Sequence, residues 1–122
     1  MSASARRHTR YTVPMDAMRT QQIKSKGLIA GLKGWSDCHI RDLSYAGALV
    51  LSDKKLDIGD QILMRLSLRS GWDLEFNGKV VNCGTDILSG KYKLGVAIDE
   101  PSSETTEHRF LQNLGASFEV AV

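Results

Sequence analysis

Ile62-Leu63-Met64-Arg65-Leu66-Ser67-Leu68-Arg69 sets Ile62, Met64, Leu66 and Leu68 on one side of an extended chain, and Leu63, Arg65, Ser67 and Arg69 on the other. A two-residue period with one wholly apolar face belongs to a strand of an antiparallel sheet that is buried on one side. Ser70-Gly71 closes a hairpin after it. Leu74, Phe76 and Val80 then repeat the alternation against Glu75, Asn77 and Lys79, with Gly78 on the apolar parity as a bulge or barrel corner. Asp86 to Gly90 reads as a second turn. Beyond it Tyr92, Leu94, Val96 and Ile98 alternate with Lys93, Gly95 and Ala97, so a third antiparallel strand follows.

Upstream, Leu56 to Asp60 is a connector and Asp53-Lys54-Lys55 a polar turn. Two strands precede them, Ser36 to Leu43 and Ala46 to Leu51. Between Tyr11 and Ser36 the pattern is weak: Thr12 to Met15 reads as extended, and a strand is placed near residues 27–33. Downstream, Pro101-Ser102-Ser103-Glu104 changes the period from two to that of a helix near residues 103–114. Phe110, Leu111 and Leu114 share its inner side, and Gly115 is placed as its C′ residue. Residues 116–122 fit either a last strand or an extended tail.

Short antiparallel strands with one apolar face, finished by one helix, are best satisfied by closing on themselves, which removes exposed edges. The expected fold is mainly β: a small closed or nearly closed antiparallel barrel with a C-terminal α-helix and a flexible N-terminal arm. One domain is expected in 122 residues, with 42% hydrophobic and 25% charged content typical of a globular chain. A net charge of +2 is too small to imply nucleic acid, and a single-strand binder would need more aromatics than the 7% here. No apolar run is long enough to span a bilayer and no secretory signal opens the chain, so no membrane is expected and the expected compartment is the cytoplasm. Cys38 and Cys83 form no C-x-x-C pair, and His8, His39 and His108 lack ligand spacing, so no metal site is expected and both thiols are read as reduced and structural. No nucleophile with its base and no carboxylate pair can be assembled, so an enzyme is not expected.

Two motifs carry the functional reading. In Asp42-Leu43-Ser44-Tyr45-Ala46-Gly47, extended backbone points Asp42 and Ser44 to one face and Leu43 to the other. Asp42 accepts hydrogen bonds from an amino edge, Ser44 donates or accepts, and Gly47 permits a positive φ or a close backbone approach. Taken alone, the six residues also fit a strand, a side-chain-stabilised turn and a second strand. The other motif is in residues 1–10, a basic arm without periodicity, where Arg6, Arg7 and Arg10 offer planar forks suited to phosphates or the acceptor edge of guanine.

Arg6 and Arg10 ahead of the strands, then Asp42, Ser44 and Gly47 on a strand and its turn, resemble the PilZ domain family of cyclic di-GMP receptors. That family pairs an R-x-x-x-R arm with a [D/N]-x-S-x-x-G motif on a six-stranded barrel, and Leu94-Gly95-Val96 looks like its late strand. The resemblance covers residues 5 to 114. It implies that Arg6 and Arg10 clamp cyclic di-GMP through phosphates and guanine, with Arg7 as an auxiliary phosphate contact, and that Asp42, Ser44 and Gly47 hold it from the barrel surface. It implies no cofactor. The resulting expectation is a receptor over residues 11–122 whose arm orders on the ligand and whose signal passes to a protein partner, controlling motility or surface attachment. A barrel serving as a protein-interaction adaptor without nucleotide, or binding single-stranded nucleic acid, is the alternative.

Overall fold

The computed structural model describes residues 8–26 and 34–121. The described residues contain eight strands: β1 (Tyr11–Thr12), β2 (Met18–Ser25), β3 (Ser36–Leu43), β4 (Gly47–Ser52), β5 (Gln61–Leu68), β6 (Asp73–Thr85), β7 (Tyr92–Ile98) and β8 (Glu119–Val120). Six of them pair in the order β2-β5-β6-β7-β4-β3, and a further β2–β3 pairing closes the ring into an antiparallel barrel. The β5–β6 register sets Ile62 opposite Gly78, Met64 opposite Phe76 and Leu66 opposite Leu74. The alternation of the quoted stretch therefore stacks one apolar row on the next, and Ile62, Met64 and Leu66 are fully buried.

Gly78 is the corner its parity suggested. A Cβ there would stand 2.8 Å from the Ala97 carbonyl oxygen and 2.9 Å from Val96 Cγ1, so only glycine lets β6 and β7 approach this closely.

The strand placed near residues 27–33 lies outside the described residues, and the described strand of this region is β2. Its buried residues are Met18 and Ile23, an odd number of positions apart. They share the core because the β2–β5 register shifts between Met18 and Thr20, and the extra residue resets the parity. A fixed period cannot detect such a strand. β6 likewise continues past the expected Val80 to Thr85, through residues that are all exposed and so carry no alternation.

Thr105 caps helix α1 (Thr106–Gln112), accepting from His108 N–H at 3.1 Å. Phe110, Leu111 and Leu114 are buried as their spacing required, and the Phe110 ring lies 6.3 Å from Phe76 and 6.2 Å from Phe118. Gly115 is not the C′ residue. Asn113 ends α1 instead, its backbone N–H donating to Arg109 and Phe110 and its side chain to Arg109, and a short helix α2 (Leu114–Ser117) contains Gly115. A Cβ at Gly115 would meet the Tyr11 hydroxyl at 3.1 Å, so packing against Tyr11 selects glycine there. Of residues 116–121, Ala116 and Ser117 finish α2 and Glu119–Val120 form the short strand β8. No helix of the described residues is long and apolar enough to cross a membrane.

Candidate functional site

Arg10, the last arginine of the arm, meets the strand motif beside β3. That strand shares one edge between two partners, pairing β2 through Ser36 and Asp37 and β1 through Asp42 and Leu43. β8 pairs on the far side of β1, and Ala121 N–H donates to the Arg10 carbonyl at 2.8 Å. The C-terminal segment thereby holds the end of the arm against the barrel.

β3 carries its own bulge, between Ile40 and Asp42. It brings Ile40 and Leu43, an odd number of residues apart, into the same core, both fully buried. Asp42 is turned away from Leu43, as the alternation required, and accepts from Arg10 Nη2 at 2.9 Å. The Arg10 side chain is 37% exposed and that of Asp42 12%, so the ion pair is shielded on its acidic side and open on its basic side.

Ser44 and Gly47 serve the adjoining turn. Ser44 N–H donates to the Gly47 carbonyl at 2.8 Å, and its hydroxyl accepts from Ala46 N–H at 3.3 Å. The hydroxyl thus stabilises its own turn. Gly47 has no positive φ. Of its two expected uses the structure takes the close approach, since a Cβ would lie 3.0 Å from the Val96 carbonyl oxygen on β7. Arg6 and Arg7 lie outside the described residues.

The arm's last arginine thus lies against the strand aspartate, with the serine–glycine turn beside them. Residues 4–114 match the family model described as PilZ domain. The chain belongs to the PilZ family. PilZ domains are binding domains, not a known enzyme family, and their ligand is cyclic di-GMP. The PilZ barrel here is similar to the solved structure of the Bacillus subtilis inhibitor of motility, MotI/DgrA, with a TM-score of 0.63 at 17% sequence identity. That match covers 88% of this chain and 48% of the other, so the PilZ chain spans about half the length of that protein. No curated protein matches the sequence.

Two further features of this PilZ domain were not read from its sequence. Arg41, the residue before Asp42, donates to Asp86 Oδ1 at 2.8 Å across 45 positions of chain. Asp86 is 8% exposed and also accepts from Ser89, at 3.0 Å from the backbone N–H and 2.7 Å from the hydroxyl. The Ser89 hydroxyl, with Arg41 next, holds the Asp86 carboxyl down to about 2. Only the local Asp86–Ser89 turn had a sequence signal, the Asx spacing. The ion pair ties the β6–β7 turn to the strand that bears the PilZ motif.

Tyr45, inside the motif, donates to Glu100 at 2.8 Å and lies 5.4 Å from the His8 ring and 5.9 Å from that of His108. It borders an open groove of about 610 Å³ between the arm and α1, lined also by His8, Thr9, Tyr11 and Asn113. The two thiols differ. Burial, and then the charge of Asp37, pushes Cys38 up to about 12, whereas Cys83 is exposed. Among the described residues no three His, Cys, Asp or Glu side chains group to hold a metal ion.

Proposed function

We propose that this protein is a cyclic di-GMP receptor in which Arg6, Arg7 and Arg10 grip the dinucleotide from the arm while Asp42, Ser44 and Gly47 present it from the barrel. The observation that supports the reading is the Arg10–Asp42 contact at 2.9 Å, which brings the arm's last arginine to the strand aspartate. Asp42 engages the guanidinium through a single nitrogen. The remaining donors of the fork suit guanine O6 and N7 or a phosphate, and a good bidentate base contact contributes about 1–3 kcal/mol. The carboxylate keeps acceptor capacity for guanine's amino edge.

Ligand contacts at Arg6 and Arg7 fix that segment against the barrel. Ordering costs about 1–2 kcal/mol per residue in backbone entropy, so a ligand offering several simultaneous contacts is selected over a mononucleotide. The altered surface is then read by a protein partner. The name of the similar MotI/DgrA structure, an inhibitor of motility, favours motility as the output. Calorimetric titration with cyclic di-GMP, against GTP and cyclic di-AMP, tests the ligand. Backbone relaxation of residues 6 and 7 with and without ligand tests the ordering.

A further inference from the structure

β6 runs beyond the barrel. Its pairing with β5 ends at Lys79, and from Asn82 to Thr85 it pairs with β7 alone. The β5-side edge of Val80 is still occupied, by Gly59 N–H at 2.7 Å and by its own donation to Asp60 at 2.9 Å. Past that point no described backbone group pairs with the edge, although the Cys83 thiol donates to the Leu56 carbonyl at 3.2 Å, and Val81, Asn82, Cys83, Gly84 and Thr85 are all exposed.

Unpaired edges template the addition of another strand, and proteins ordinarily guard them with charge, proline or a covering element. Val81-Asn82-Cys83-Gly84-Thr85 has neither charge nor proline. Apolar side chains flank it in solvent, Val81 at 50% exposure and Ile58 at 66%, the latter on the loop bonded to Val80.

We propose that this edge is where two copies of the chain associate, β6 of one adding antiparallel to β6 of the other across a twofold axis. Pairing the whole free edge with itself fixes the axis at its midpoint, Cys83, and sets Asn82 opposite Gly84 of the other copy. A symmetric contact meets its own sequence, and an uncharged stretch does so with no like charges opposed. A charged peptide would find no counter-charge on it. The strand order leaves β7 and β4 between this edge and β3, so both candidate ligand sites stay open in the pair. The inference stands independently of the ligand.

Sedimentation velocity over a concentration series tests it. The wild-type chain is expected to shift toward a particle of twice the mass. Asn82→Lys with Gly84→Lys opposes like charges twice across the axis and is expected to weaken self-association roughly tenfold or more. Asn82→Lys with Gly84→Glu opposes unlike charges and is expected to restore it. A side chain at Gly84 has room, its nearest neighbour being Lys93 Cε at 3.9 Å from the Cβ position, and thermal melting checks that each variant folds. A short bis-maleimide is expected to join Cys83 of two copies, and Cys83→Ser to abolish the cross-link, which distinguishes it from any reaction at the partly buried Cys38. A chain that remains monomeric throughout the series overturns the proposal. So does a dimer untouched by the paired lysines, or one that gives no Cys83 cross-link.

Discussion

Arg10 and Asp42, 32 positions apart in the chain, meet at 2.9 Å on the outer face of the barrel. The contact ties the end of the arm to β3, so Arg10 serves the fold as well as the proposed site. A partly exposed pair of this kind contributes about 0.2–1 kcal/mol. Arg10→Ala is therefore expected to lower the melting temperature by a few degrees at most and to weaken cyclic di-GMP binding far more. Asp42→Ala should show the same split. Thermal denaturation and calorimetry on one preparation separate the two effects.

Arg6 and Arg7 are expected to behave differently from Arg10. Arg6→Ala and Arg7→Ala should weaken binding with no measurable loss of thermal stability, and the Arg7 effect should be the smaller, as befits an auxiliary phosphate contact. Wild-type affinity in the Arg6→Ala, Arg10→Ala double variant would remove the arm from the site.

How far the sequence disclosed this arrangement depends on parity. β5 and β7 keep an unbroken two-residue period and were legible as strands with their faces. β2 was not, because its bulge beside Met18 puts Met18 and Ile23 in one core from positions of opposite parity. The bulge before Asp42 had the same effect on Ile40 and Leu43, yet it left Asp42 facing outward opposite Leu43 as read. β1 and β8 are two residues each, too short for any pattern, although they anchor Arg10. The Arg41–Asp86 pair was out of reach because nothing local links residues joined only by the sheet.

That pair gives a pH dependence of definite sign. The Asp86 carboxyl is lowered from its ordinary value of 3.8 to about 2 in the folded chain. Protons therefore favour the unfolded state, and the stabilisation is complete above about 4 and lost as pH falls from there through about 2. Asp86→Asn should melt lower than wild type at neutral pH. The difference between the two should narrow as melting is followed down through this acid window. A constant difference between pH 5 and pH 2 would contradict the assignment.

Gly78 tests the barrel itself. A methyl group there meets the Ala97 carbonyl at 2.8 Å, where backbone must give way. Gly78→Ala is expected to cost about 1–3 kcal/mol in denaturant unfolding. Gly84→Ala, whose Cβ position has no neighbour nearer than 3.9 Å, should cost far less. Equal costs would mean that β6 and β7 are not pressed together at this corner.

Calorimetric titration of the wild-type chain with cyclic di-GMP bears most directly on the central claim. Saturable binding is expected, with GTP and cyclic di-AMP giving no comparable heat: the first cannot reach the arm and barrel contacts at once, and adenine lacks the O6 acceptor that an arginine fork grips together with N7. Absence of saturable binding to cyclic di-GMP, or equal binding of cyclic di-AMP, would contradict it.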